Sequence, residues 1–200
     1  MKTILRIIFI ITLLVLFWPF LLFKRYGKKD INFDDNSLII ANHYSNFDAF
    51  YLYLIIKNKK RIHFVVNLDA KKHFLSRTIC SLFNCVYFDT KNTLKNVNSS
   101  NEIVNILNNG GVVIIFPEGI INATKHGILE FQKGFIYFAR KANSKIYPLY
   151  IDSNLYPFKL TKIFINDGVY LKDIKVKTDL ELIMYFQTII IESLMKMNGK

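Results

Sequence analysis

The sequence predicts an α/β domain, a mostly parallel sheet covered by helices, preceded by an N-terminal hydrophobic membrane-anchoring helix. Three observations predict it. Short apolar runs of strand length recur at 37–41, 62–66, 85–88, 112–116 and 145–151. Helical patterns separate them, with lengths suited to crossovers between parallel strands. Ahead of all this, Ile7 to Phe23 forms seventeen residues without a charge, Thr12 being the one polar side chain.

That first segment reaches ~26 Å as a helix, just short of a ~30 Å hydrocarbon core. It spans if Ile4 and Leu5 are added; Pro19 instead favours a bent, re-entrant form lying in one leaflet. No small-residue cleavage site follows, which argues against a removed signal peptide. Lys2 and Arg6 precede it, while Lys24, Arg25, Lys28 and Lys29 follow. On the positive-inside bias the rest of the chain faces the cytoplasm, and the basic cluster attracts anionic headgroups at about 1 kcal/mol per residue. Residues 1–29 are therefore read as an anchor with a basic flank, and 30–200 as the working domain.

Within that domain the elements follow in order. Ser37–Ala41 reads as a strand and Phe47–Ile56 as a helix. Ile62–Val66 is a strand, Lys71–Phe83 a helix, Cys85–Phe88 a strand. Ser99-Ser100-Asn101-Glu102 has capping-box form and opens a helix that closes at Gly110-Gly111. Val112–Phe116 is an uninterrupted buried strand. A loop leads to a helix over Lys133–Ala142 and a strand over Lys145–Ile151. Thr178-Asp179-Leu180-Glu181 is a second capping box, opening a helix to about Met197 that is apolar around much of its circumference. It packs on the domain or on the bilayer.

Composition bounds the function. The chain is 52% hydrophobic, which excludes disorder over most of its length, and 200 residues make one domain. A net charge of +12 implies an anionic partner: nucleic acid, a negative membrane surface or a phosphorylated substrate. No nucleic-acid motif is present and much of the charge flanks a lipid-seeking segment, so lipid is expected and nucleic acid is not. Cys80 and Cys85 match no zinc spacing and read as buried thiols in a reducing compartment; no metal is expected.

Three clusters carry candidate chemistry. The first is Asn42-His43-Tyr44-Ser45-Asn46-Phe47-Asp48, directly after a strand. On one continuous helix His43 and Asp48 would stand about 140° apart and never meet. With Ser45 or Asn46 capping the helix, His43 lies in the loop and Asp48, in the first turn, reaches back to one imidazole nitrogen. The other nitrogen is then left to take a proton from a hydroxyl. In isolation Ser45-x-x-Asp48 reads first as a plain capping box beside an ordinary loop histidine. The second cluster is Phe116-Pro117-Glu118-Gly119, at the carboxyl end of a strand, where open α/β sheets bind ligands. Glu118 there hydrogen-bonds acceptor hydroxyls or orients its neighbours; Pro-Glu-Gly is also common turn chemistry. The third is Phe131-Gln132-Lys133-Gly134, where a lysine at a helix start meets a phosphate or is merely solvated. His63 and His73 lack acidic partners at ligand spacing.

In this order the clusters resemble the glycerolipid acyltransferase family that includes 1-acylglycerol-3-phosphate acyltransferases. Asn42, His43 and Asp48 match its Asn-His-x-x-x-x-Asp motif, and Phe116 to Gly119 its Phe-Pro-Glu-Gly motif. Ala70-Lys71, Tyr87-Phe88-Asp89-Thr90, Phe131 to Gly134 and Ile146-Tyr147-Pro148-Leu149 resemble further family segments. The resemblance runs from about residue 37 to 151. It implies a transferase with His43 and Asp48 catalytic and with Asn42, Glu118, Gly119, Lys133 and Lys91 at the substrate. Two positions depart: the family's arginines, associated with the acceptor's phosphate, are replaced by Thr90 and Ile121. A bidentate guanidinium has no equivalent in either side chain. Lys91, Lys125 or Lys133 supply charge with different geometry, which leaves the acceptor headgroup open.

The implied reaction moves a fatty acyl group from acyl-CoA or acyl carrier protein to the hydroxyl of a lysolipid, with no bound cofactor. His43, oriented by Asp48, is the general base. Two rivals remain: a membrane-surface lipid-binding protein that keeps the fold without catalysis, and a hydrolase, the latter lacking a Gly-x-Ser-x-Gly elbow.

Overall fold

The computed structural model describes residues 2–20, 22–28, 33, 36–57, 59–89, 92, 96–124, 127–153, 156, 158–176 and 178–198. Eight strands join one mixed, mostly parallel sheet: β1 (Phe23–Gly27), β2 (Ser37–Ala41), β3 (Ile62–Asn67), β4 (Val86–Phe88), β5 (Val112–Ile115), β6 (Lys145–Asp152), β7 (Thr161–Ile165) and β8 (Val169–Tyr170). Their order is β1-β7-β6-β2-β5-β3-β4, with β8 also on β6. The run from β6 through β2, β5 and β3 to β4 is parallel throughout, and only β7 and β8 meet β6 antiparallel.

The helices are α1 (Lys2–Phe17), α2 (Asp48–Ile55), α3 (Phe74–Leu82), α4 (Val97–Asn108), α5 (Gly134–Ala142) and α6 (Asp179–Asn198). Because successive strand residues point to opposite faces, β2 feeds two cores. Leu38 and Ile40 pack with Ile103, Phe135 and Phe186 of α4, α5 and α6; Ile39 and Ala41 pack with Tyr51, Leu52 and Phe83 on the α2 and α3 side. A strand covered on both faces has no reason to alternate, so β2 and β5 are apolar at nearly every position.

Eight of the expected elements agree with the structure to within a residue or two. The Thr178 box is made: its hydroxyl donates to Glu181 Oε2 at 2.6 Å and accepts from the Glu181 N–H at 3.3 Å. The apolar helix it opens packs on the domain, with Leu182, Phe186 and Ile190 in the core. Other expectations are corrected. Helix α4 begins at Val97, so Ser99 and Ser100 lie inside it; Asn96, just before, spends both ends of its amide on the Asp89 backbone. The helix expected from Lys71 starts at Phe74, behind a 3-10 turn over Leu68–Lys72.

The N-terminal segment departs most. Helix α1 covers 16 residues, about 24 Å. Pro19 sits in a 3-10 turn over Trp18–Phe20, and the chain then enters β1, paired with β7 from Phe23↔Thr161 to Gly27↔Ile165. Among the described residues no helix is long and apolar enough to cross a membrane, so the expected transmembrane helix is not found there. Residues 23–27, read from sequence as the anchor's basic flank, are a sheet strand; Lys24 and Arg25 point to solvent from it. Helix α1 instead lies along the domain. Arg6 donates to the Leu82 carbonyl at 2.7 Å and Phe9 meets the Phe83 ring edge-on at 5.9 Å.

Candidate active site

The centre lies where the adjacent parallel strands β6, β2 and β5 end together. Registers Ile40↔Ile115 and Ala41↔Leu149 bring the loops after these strands side by side. Asn42 continues β2 by one residue with its side chain: its Nδ2 donates to the Ile151 carbonyl at 2.8 Å and its Oδ1 accepts from the Ile151 N–H at 2.7 Å. The amide is fully buried and both ends are engaged. Asn42, expected at the substrate, thus belongs to the framework that aims the next residue.

That residue is His43. Its Nδ1 stands 3.1 Å from Asp48 Oδ2, and its ring stacks on Phe116, centroids 4.0 Å apart and planes 14° from parallel. Asp48 is the first residue of α2 and fully buried. Its Oδ2 also accepts the Tyr44 N–H at 2.7 Å and the Ser45 N–H at 2.8 Å, while Oδ1 takes the Ser153 hydroxyl. A carboxylate oxygen accepts only, so the hydrogen of this bond sits on His43 Nδ1, the tautomer that in a neutral imidazole has its lone pair on Nε2. Among the described residues Nε2 has no hydrogen-bond partner, and the side chain is 16% exposed. The Asp48 carboxylate thus both ties back the helix entry and holds the imidazole. Ser45 does not complete a capping box, because its Oγ accepts from the Phe47 N–H instead.

Glu118 is buried too, and it faces the protein. Oε1 accepts the His43 N–H at 2.8 Å and Oε2 the Leu129 N–H at 3.1 Å. Of the two roles expected for it, orienting neighbours is the one its contacts serve; both oxygens are occupied by backbone donors, not turned to an acceptor hydroxyl. Burial pushes its carboxyl above the ordinary value, against the two N–H groups, which pull it down. A raised carboxyl is stabilising while protonated, so its contribution is complete below the unfolded value and is lost as pH rises through the folded one. Urea melts at pH 4 and pH 7 should therefore show wild type losing stability relative to Glu118→Gln on going to pH 7; a gap that widens in favour of wild type refutes this.

Gly119 closes the turn: its N–H donates to the Phe116 carbonyl at 3.0 Å and its φ is 72°, a left-handed value costly for a side chain. Lys133 is exposed just ahead of α5, and its neighbour Gln132 donates to the Pro117 carbonyl at 2.8 Å, which sets the lysine beside the same turn. Ile121, where the resemblance expects arginine, is exposed next to Asn122, whose N–H donates to the His43 carbonyl at 2.7 Å. Lys91, Thr90 and Lys125 lie outside the described residues. Sequence reasoning missed Ser153 and Asn122. Neither sits in a motif, and only the strand order brings them to His43 and Asp48.

A buried carboxylate within hydrogen-bonding distance of an imidazole, at the carboxyl ends of parallel strands, defines an α/β protein with a His–Asp pair where such sheets bind ligands. The chain belongs to the acyltransferase family, whose model, described as Acyltransferase, matches residues 23–152. A probable 1-acyl-sn-glycerol-3-phosphate acyltransferase of Mycoplasma genitalium is 28% identical over 135 residues, 66% of this chain and 50% of the relative. Its namesake from Mycoplasma pneumoniae is 29% identical over 117 residues, 57% and 43%. The chain thus spans about half the length of the curated relatives it matches. The crystal structure of the 1-acyl-sn-glycerophosphate (LPA) acyltransferase PlsC from Thermotoga maritima shares the fold, with TM-score 0.72 over 92% of this chain and 75% of that one at 21% identity.

Proposed function

We propose that the chain transfers a fatty acyl group from an acyl thioester, carried by coenzyme A or acyl carrier protein, to the hydroxyl of a lysophosphatidate-type lipid at a membrane surface. The observation that carries this reading is the His43–Asp48 pair beside the Phe116–Gly119 turn, in a chain of this family. His43 Nε2 takes the proton of the acceptor hydroxyl as its oxygen attacks the thioester carbonyl. The C–O bond forms, the C–S bond breaks, and the departing thiolate takes the proton back from the imidazolium. Asp48 is the counter-charge while the imidazolium exists, and its four donors keep it in place. No acyl-enzyme and no bound metal enter these steps.

The activity named for the Mycoplasma relatives supports a lysophosphatidate-type acceptor. Ile121 supplies no cation where the resemblance expects arginine, so the phosphate falls to lysines, Lys133 being the described one beside the turn. Lys133→Glu should raise the KM for a lysophosphatidate several-fold and leave kcat near wild type. An unchanged KM in steady-state assays assigns the headgroup to other residues.

Surface association rests on where the apolar exposure lies. Ile4, Ile8, Ile11 and Val15, one stripe of α1, are all exposed, while Phe9 and Ile10 face the domain. Strand β1 runs antiparallel to β6, so Trp18, just before it, stands at the sheet end where the site lies. There Trp18 meets Phe158 edge-on at 5.5 Å, with Tyr156 and Leu160 exposed nearby. Lys24 and Lys159 ring this apolar ledge with positive charge. A helix lying in the headgroup region with aromatic and basic company fits these facts. Without a spanning helix the positive-inside bias assigns no side, and the basic residues count as headgroup contacts. Sedimentation with vesicles containing anionic lipid should retain the wild-type chain and release Ile8→Asp/Ile11→Asp, with binding weakened by salt. Equal retention of both removes α1 from the membrane face.

A further inference from the structure

The two cysteines stand apart from the site just described. Helix α3 is closed by Asn84 in the left-handed conformation, φ 53°, and by a hydrogen bond from the Cys85 N–H to the Cys80 carbonyl at 3.0 Å. A closure of this kind folds the second residue past the cap back onto the helical residue three before it, a contact usually made by two apolar side chains. Here both places are cysteine, the chain's only two. The cap therefore does by local geometry what distant cysteines need a whole fold to achieve: it sets two thiols within hydrogen-bonding reach of each other.

Their surroundings are those of reactive sulfur. Cys80, itself buried, and the part-exposed Cys85 line a cavity of about 320 Å³ together with Lys71, Arg77 and Tyr87. The hydrogen bond from Cys85, seconded by one from Tyr87, lowers the Cys80 thiol to about 7 despite its burial. Lys71 and Arg77 stand on the same cavity wall, and the thiolate is the nucleophile in sulfur oxidation.

We propose that Cys80 and Cys85 are a reversible redox pair, converted by a hydroperoxide into an intramolecular disulfide that ties the end of α3 to the start of β4. The Cys80 thiolate attacks the peroxide oxygen; the O–O bond breaks, water or an alcohol leaves, and Cys80 becomes a sulfenic acid. Cys85 then attacks that sulfur, the S–S bond forms and water leaves. Two thiols lose two electrons and two protons, and the peroxide is reduced by two electrons. The product bears on the rest of the domain, since β4 runs straight into Asp89, whose backbone is pinned by Asn96.

The test uses the full chain, reduced, freed of reductant and exposed to hydrogen peroxide, then acid-quenched, denatured and alkylated before intact-mass measurement. Reduced protein should carry two alkyl groups. Treated protein should carry none, be about 2 Da lighter than the unalkylated reduced chain, and recover both sites with dithiothreitol. Cys85→Ser should stop at a sulfenic acid on Cys80 that dimedone traps, and Cys80→Ser should give no disulfide within the chain. Where a variant fails to fold, the wild-type masses decide alone. Two alkyl groups after peroxide, or disulfides only between chains on a non-reducing gel, overturn the proposal.

Discussion

Replacing His43 by alanine should lower acyl transfer by about 10²–10⁴-fold, the range for removing a positioned general base, with little change in melting temperature. The structure separates these two quantities. What His43 contributes to the fold it contributes through its backbone, whose N–H donates to Glu118 and whose carbonyl accepts from Asn122. Alanine keeps both. The side chain adds one hydrogen bond and a stack on Phe116, and Asp48 retains Tyr44, Ser45 and Ser153 as donors when the imidazole is gone. Transfer of a labelled acyl group from a thioester to a lysolipid panel, read beside a thermal melt, measures both. Undiminished turnover by the alanine variant ends the proposed mechanism, and thioester release without lipid product would point to hydrolysis.

Asp48→Asn should be nearly as damaging to turnover and far milder to the fold than Asp48→Ala. The amide oxygen can still receive the Tyr44 and Ser45 N–H groups, and its NH2 can donate to Ser153. What the amide lacks is the negative charge that stabilises an imidazolium and the acceptor-only character that keeps the hydrogen on Nδ1; a triad aspartate made asparagine loses about 10⁴ in kcat because the imidazole takes the wrong tautomer. Alanine instead strands two buried N–H groups, at about 1–3 kcal/mol each. Kinetics at saturating acceptor, with urea denaturation of both variants, checks the split: kcat falls in both, and only alanine unfolds markedly earlier. A well-folded asparagine variant with wild-type kcat would leave Asp48 a structural residue alone.

Much of the fold was legible because it is written in local terms. Strands β2 and β5 are apolar at nearly every position since both faces are covered, and the Thr178–Glu181 box marks the closing helix in four residues. Strands β1 and β7 escaped. The first, Phe-Lys-Arg-Tyr-Gly, is charged on an edge and follows an apolar run that reads as anchor; the second is placed by its neighbours rather than by a motif. The Ser99–Glu102 pattern misled for a related reason: a capping box is a weak signal, and the Asn96–Asp89 tie set the helix start two residues earlier.

By itself the chain of residues carried the α/β class in its alternating apolar runs, and the Pro-Glu-Gly turn and the absence of arginine at position 121 in a few neighbouring residues; the pairing of His43 with the acid five positions on was one of two readings it left open. Tertiary structure decided what those groups face. Whether Asn42 and Glu118 meet a substrate or the protein's own backbone depends on which strands lie beside β2, and that order sets Ile151, Ser153 and Leu129 against them. It likewise decided that the apolar N-terminus stops short of a span: β1 gains a hydrogen-bonded partner in β7, which a helix continued through Phe23 would forfeit.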